Sequence, residues 1–148
     1  MDRIVIVSGY FNPIHVGHLD YLQEAKKLGD VLIVIVNNDH QVKIKGSTPF
    51  MSLKDRLRIV QALECVSQAV PSVDKDSSVA ETLNILHTKY SLYWDFDRMI
   101  FANGGDRKAD DIPEYELCEK RGITMEFNVG GGKTQSSSTL LEKAGKDN

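Results

Sequence analysis

The chain has 148 residues, 41% of them hydrophobic and 26% charged, with a formal net charge of −3. A chain of this size buries roughly 68–70% of its unfolded surface as one domain, its composition excludes disorder and fibrous repeats, and its acidic balance excludes the basic footprint that long nucleic acid requires. The two cysteines, Cys65 and Cys118, form no C-x-x-C pair and no disulfide framework, so they read as buried free thiols.

In chain order the elements are punctuated by short polar signals. Ile4 to Val7 is a β-branched run ending at Ser8-Gly9, the pattern of a strand buried on both faces of a parallel sheet. At four residues it is too short for a signal-peptide core or a membrane span, so a cytoplasmic location is the default expectation and no membrane partner is implied. Apolar residues at Leu19, Leu22, Ala25 and Leu28, stopped by Gly29, predict an amphipathic helix. VLIVIV, residues 31 to 36, predicts the second strand and completes a βαβ unit.

A polar loop carrying Lys43, Lys45 and Gly46 follows, and Ser52 to Asp55 reads as a capping box opening a helix through Leu63. A second box, Ser78 to Glu81, opens a helix through about His87. Further strands are expected at 69–71, 98–102 and 124–129, and further helices at about 113–121 and 137–143. Strands alternating with helices along the whole length predict a single domain, residues 1–148, with an α/β, Rossmann-like, doubly wound parallel five-stranded sheet and helices on both faces.

In such sheets ligands bind beyond the carboxyl ends of the strands. There the sequence places GYFNPIHVGH, residues 9 to 18, then Asn38, Asp39, Lys43 and Lys45, then Gly104, Gly105, Asp106 and Arg107, and last Lys133 and the hydroxyl run Ser136, Ser137, Ser138 and Thr139. Gly9 permits a tight turn, Gly17 permits close backbone approach, and the helix opening near His18 presents N–H groups and a positive dipole end to an anion. His15 and His18 can donate hydrogen bonds to phosphate oxygens where transition-state charge accumulates. The set points to a polyphosphate ligand.

Taken singly, a histidine before a helix is a cap and GGGK is a loop; H-x-G-H directly after a buried strand is far more specific. The pair lacks the third protein ligand of a zinc site. GGGKT resembles a truncated P-loop, but Phe127 stands where its first glycine belongs. No G-x-S-x-G elbow is present for acyl transfer.

These residues resemble the cytidylyltransferase-like nucleotidyltransferases that share the H-x-G-H signature, and the likeness covers nearly the whole chain. Residues 42 to 66 and the ANGGD strand end are especially similar to the adenylyltransferase domain of the bifunctional heptose-phosphate enzymes. Glycerol-3-phosphate and ethanolamine-phosphate cytidylyltransferases come next. TQSSSTLL, residues 134 to 141, resembles the family's second signature. The resemblance implies in-line attack by a phosphorylated acceptor on the α-phosphate of CTP or ATP, with pyrophosphate as the leaving group.

By the same resemblance His15 and His18 contact the phosphates, Lys43 or Lys45 holds the α-phosphate or the acceptor phosphate, and Ser137 to Thr139 hold the β- and γ-phosphates. Asp106 and Arg107 line the base or ribose pocket, and Gly9, Tyr10, Phe11, Asn12, Gly17, Gly105 and Lys133 belong to the nucleotide-binding set. Mg²⁺ is implied, held mainly by triphosphate oxygens, as is a homodimer. Arg56 reads either as an acceptor-phosphate ligand or as a solvated helix charge. Asn12 stands where many sugar- and polyol-phosphate members have Asp, and FNPIH resembles the nicotinamide-mononucleotide adenylyltransferases; this leaves a nicotinamide-nucleotide or phosphopantetheine type as one alternative. Lys133 stands where the cytidylyltransferases use Arg, exchanging a bidentate fork for a point charge, and with Asn12 it is the support for a non-catalytic nucleotide-binding module. Tyr90, Tyr93, Trp94 and Phe96 read as a subunit contact, a lid, or a helix end packed on the core.

Overall fold

The structure, a computed structural model, describes residues 2–105 and 112–130. Its elements are β1 (Asp2–Gly9), α1 (Val16–Lys26), β2 (Val31–Val36), α2 (Asp39–Ile44), α3 (Leu53–Gln61), β3 (Gln68–Pro71), α4 (Ala80–Tyr93), β4 (Phe96–Ala102), α5 (Tyr115–Arg121) and β5 (Thr124–Glu126). The strands form one sheet in the order β3-β2-β1-β4-β5, and every neighbouring pair is parallel. This is the expected doubly wound α/β sheet.

The alternation of strand side chains decides which helix covers which face. Ile4 and Ile6 of β1 and Ile33 and Ile35 of β2 face one layer, where Leu83, Leu86 and Tyr90 of α4 and Cys118 of α5 close over them. Val5 and Val7, with Leu32, Val34 and Val36, face the other, under Leu22 and Ala25 of α1 and Val60 of α3. Strands sandwiched in this way have no polar face to show, which is why IVIV and VLIVIV read as unbroken apolar runs. The chain winds outward from β1 in both directions, so the strand order reverses between β1 and β4, and a crevice opens there at the carboxyl ends.

Several local expectations are corrected. The segment after β2, read as a loop, contains helix α2, capped by Asn38, whose side chain accepts from Gln41 N while the Gln41 side chain accepts from Asn38 N. The α3 cap holds, Ser52 Oγ accepting from Asp55 N, but that helix ends at Gln61. Helix α1 ends at Lys26 rather than Leu28.

The box at Ser78 does not form, because Ser78 Oγ donates to Asp76 Oδ1. Asp74 takes its place, its carboxylate accepting from Glu81 N at 2.8 Å and Thr82 N at 3.0 Å; a charged acceptor suits the positive end of a helix better than a hydroxyl does. Helix α4 then runs on to Tyr93, beyond the expected His87. Within the aromatic segment, Tyr90 is buried and Phe96 packs on the core, whereas Tyr93 is exposed. β5 is three residues long, shorter than the six expected. The helix expected at 137–143 lies outside the described residues. Both cysteines are free thiols; Cys118 is buried and Cys65 only partly so, and burial, with Glu114 and Glu119 nearby, pushes the Cys118 thiol up to about 12.

Candidate active site

The crevice is walled first by the segment after β1. Phe11 adopts a left-handed backbone, φ 50°, and turns its ring into the core, where it is 1% exposed. The ring lies where a side chain at residue 9 would be: a Cβ on Gly9 would come within 2.7 Å of Phe11 Cζ. Gly9 is thus required by this ring rather than by a tight turn, and Phe11 is a support for the site rather than a face of it. The same ring meets His18 edge-on, centroids 5.0 Å apart.

His15 is the N-cap residue of α1 and His18 its third residue, and they cap each other's turn. His15 Nδ1 accepts from Gly17 N at 3.0 Å, and His18 Nδ1 accepts from His15 N at 3.1 Å. The rings stack with centroids 3.9 Å apart and a 30° tilt. This corrects the expectation of open N–H groups at the helix start: Gly17 N is taken by His15, and His18 N and Leu19 N donate to His15 O. An Nδ1 that accepts must carry a lone pair, so in the neutral ring the proton sits on Nε2. The cap therefore fixes both the ring positions and the tautomer, making each Nε2–H a donor.

Asn12, 4% exposed, also faces the protein. Its Nδ2 donates to Thr48 O at 3.0 Å, and its Oδ1 accepts from Phe50 N and Met51 N. It clamps the 48–51 loop against the segment after β1. A carboxylate there could accept but not donate, and it would stand against the Thr48 carbonyl. Asn12→Asp is expected to lower the free energy of unfolding by about 1–3 kcal/mol, measured by urea denaturation. Unchanged stability with altered acceptor preference would place the side chain at the substrate instead.

Arg56 is fully enclosed, with none of its side chain exposed. Nε donates to Met51 O at 3.1 Å, Nη1 to Tyr10 O at 2.8 Å and Asn37 O at 2.6 Å, and Nη2 to Asp39 Oδ1 at 2.6 Å. This corrects both expectations for Arg56: it is neither a solvated charge nor open to an acceptor phosphate, but a fork that ties the ends of β1 and β2 and the 48–51 loop into one wall. The signal was present in the sequence, since Arg56 falls at i+3 from Leu53 and i−4 from Val60, on the apolar stripe of α3.

Lys43 and Lys45 stand on or just after α2 and are exposed. Lys45 Nζ lies 4.4 Å from the centre of the Tyr10 ring, a cation–π distance, so the structure brings this lysine to the β1 end. On the far side of the crevice Tyr21 of α1 donates through its hydroxyl to Ala102 O at the end of β4. Asn103 N donates to Glu126 O at 2.8 Å and Val129 N to Asn103 O at 3.0 Å, drawing the segment after β5 across the β4 end. Gly130 has φ +87°, and a Cβ there would lie 3.0 Å from Tyr21 Cα; only glycine lets the strand end pass so close to α1. Gly105, with φ +72°, follows Gly104 at the β4 end. Asp106, Arg107, Lys133, Ser137, Ser138 and Thr139 lie outside the described residues.

Sequence reading missed Gln41 and Tyr21, and it placed Asn38 at the end of the second strand without its capping role. The N-x-x-Q spacing of Asn38 and Gln41 is a capping-box signal; Tyr21 carries none, because its partner is 81 residues away.

A parallel sheet with a histidine-capped helix start and a nearby lysine at its switch point is an α/β domain whose candidate ligand crevice lies beyond the carboxyl ends of the strands. Residues 6–129 match the model of the cytidylyltransferase-like family. The chain belongs to that family of nucleotidyltransferases. It is 33% identical over 146 residues to the bifunctional protein HldE of Streptomyces coelicolor, covering 95% of this chain and 28% of that protein. It is 37% identical over 116 residues to HldE of Haemophilus influenzae, covering 73% and 24%. The chain thus spans about a quarter of the length of these bifunctional relatives. Among solved structures, the lipopolysaccharide core biosynthesis protein of Thermoplasma volcanium superposes with TM-score 0.60 at 29% identity, over 86% of this chain and 94% of that one. The fold is also that of a putative nicotinate-nucleotide adenylyltransferase from Vibrio parahaemolyticus, TM-score 0.61 at 19% identity, over 97% and 86%.

Proposed function

We propose that the chain transfers CMP or AMP from CTP or ATP to a small phosphorylated acceptor, a sugar-, polyol- or amino-alcohol-phosphate, and releases pyrophosphate. An acceptor phosphate oxygen forms a bond to the α-phosphorus as the bond to the β-bridging oxygen breaks in line; the electron pair leaves with pyrophosphate, and no covalent enzyme intermediate forms. The observation that supports this reading is the reciprocal His15–His18 cap, which holds both imidazoles in place through Nδ1 and makes each Nε2–H the donor end of its ring, suited to charge that builds on phosphates.

Lys45, beside Tyr10, and Lys43 hold the α-phosphate or the acceptor phosphate. Ser137, Ser138 and Thr139, with Lys133, hold the β- and γ-phosphates, and Asp106 and Arg107 line the base or ribose pocket. Among the described residues no three His, Cys, Asp or Glu side chains group as a protein metal cage would need. By the family resemblance Mg²⁺ would be held mainly by triphosphate oxygens and water, where it would neutralise triphosphate charge. The family resemblance implies a homodimer, and the cytoplasm is the default location. No helix among the described residues is long and apolar enough to cross a membrane.

The likeness to HldE and to a lipopolysaccharide core biosynthesis protein favours a sugar phosphate as acceptor. The nicotinamide-mononucleotide or phosphopantetheine alternative rested on Asn12, whose amide is engaged within the protein. The test is pyrophosphate release with Mg²⁺ and either CTP or ATP, against two acceptor pools. One pool holds sugar, polyol and amino-alcohol phosphates; the other holds pyridine mononucleotides and phosphopantetheine. Release with the first pool and one triphosphate is expected. Release confined to the second would transfer the assignment to the alternative, and triphosphate binding with silence in both would favour a binding module.

A further inference from the structure

Of the lysines proposed to bind phosphate, Lys43 sits on a helix of only six residues and Lys45 is its C-cap; such a helix is far below the length at which a helix holds its own shape in water. Something else must fix it, and the fixing group is Gln41, 0% exposed. Its Oε1 accepts from Asn37 Nδ2 at 3.0 Å and Asn38 N at 3.1 Å. Its Nε2 donates to Asp76 O and Ser78 O, both at 2.8 Å. Asn38 adds two more ties to the same loop, donating through Nδ2 to Ser72 O at 3.1 Å and Asp74 O at 3.0 Å.

That loop is itself rigidly held, because the Asp74 carboxylate caps α4. At the other end, Lys45 N donates to Gln41 O at 3.1 Å, so the lysine backbone hangs directly from the anchored residue. A continuous chain of hydrogen bonds thus runs from the start of α4, through the 72–78 loop and Gln41, to Lys45.

We propose that Gln41, assisted by Asn38, is a positioning residue that sets the reach of Lys43 and Lys45 into the crevice. This rests on reading those lysines as phosphate ligands. Gln41→Leu removes all four side-chain bonds, and Gln41→Glu keeps the two accepted ones while setting a carboxylate against two carbonyls. Each is expected to lower kcat/KM by about 10- to 100-fold, the scale of an ångström-sized misplacement, at a temperature where circular dichroism shows the variant folded.

The discriminating test is a double-mutant cycle against Lys43→Met with Lys45→Met. If Gln41 acts through the lysines, its replacement costs less than about 3-fold once they are gone. An equal factor in both backgrounds would reduce Gln41 to a stabilising residue and overturn the proposal. Asn38→Ser, which keeps the cap acceptor and loses both donated bonds, carries the same cycle if the Gln41 variants do not fold. The cycle is read in parallel as triphosphate affinity by calorimetry, which needs no turnover. A protein that binds triphosphate and never releases pyrophosphate defeats the transferase reading while the cycle still decides Gln41. Lysine replacements without effect on turnover or affinity would overturn the proposal outright.

Discussion

His15→Asn and His18→Gln each leave a folded protein and each lower the rate of pyrophosphate release by about 10²–10³-fold, the cost of removing one preorganised donor from a developing charge. These replacements separate two duties that alanine would confound. Both imidazoles cap α1 through Nδ1; Asn is a good N-cap residue and Gln at the third helical position completes a capping box. The amide that each substitution leaves keeps an N–H₂ donor, but it is neutral throughout and hangs from a shorter or more flexible stem, so it is not the preorganised imidazole Nε2–H. Stability within about 1 kcal/mol of the parent, measured by urea denaturation, is therefore expected alongside the loss of rate. Parent-like turnover in either variant would remove that histidine from the reacting phosphates.

Arg56→Met is expected to produce the largest stability loss, about 3 kcal/mol or more. It strands the carbonyls of Tyr10, Asn37 and Met51, at roughly 1–3 kcal/mol for each buried group left unpaired and not additively. Asp39, 42% exposed on its side chain, remains solvated and adds little. Arg56→Lys is expected to recover only a small part, because an ammonium cannot reproduce a planar fork reaching three chain segments. Both are measured by urea denaturation. A stable Arg56→Lys variant with a raised acceptor KM would instead return Arg56 to the substrate.

The place of the histidine pair was legible in the sequence because all of its parts are neighbours: a buried β-branched strand, a turn, and H-x-G-H opening a helix; that the two rings cap that helix was not. The doubly wound parallel sheet followed from the same logic, since unbroken apolar runs alternating with amphipathic ones leave few other folds. What escaped was set by contacts distant in sequence. Arg56 and Asn12 are polar residues whose partners lie up to 46 and 39 positions away, and nothing local distinguishes a buried guanidinium from a solvated one except its place on an apolar stripe. Helix α2 is short and polar, so its pattern is that of a loop until the loop after β3 supplies the acceptors for Gln41. The cap of α4 went to Asp74 rather than to Ser78 because the chain folds back and brings a charged acceptor to a site that a hydroxyl next to the helix would otherwise fill.

Attack at the α-phosphorus is the central step of the proposed reaction. The most direct test is ³¹P NMR of one reaction containing the protein, Mg²⁺, the responsive triphosphate and its acceptor. The expected result is pyrophosphate formed in step with a pair of coupled doublets from a new P–O–P linkage between nucleotide and acceptor. Loss of the γ-phosphate as orthophosphate, or an unchanged triphosphate spectrum in protein shown to bind it, would contradict nucleotidyl transfer at this site.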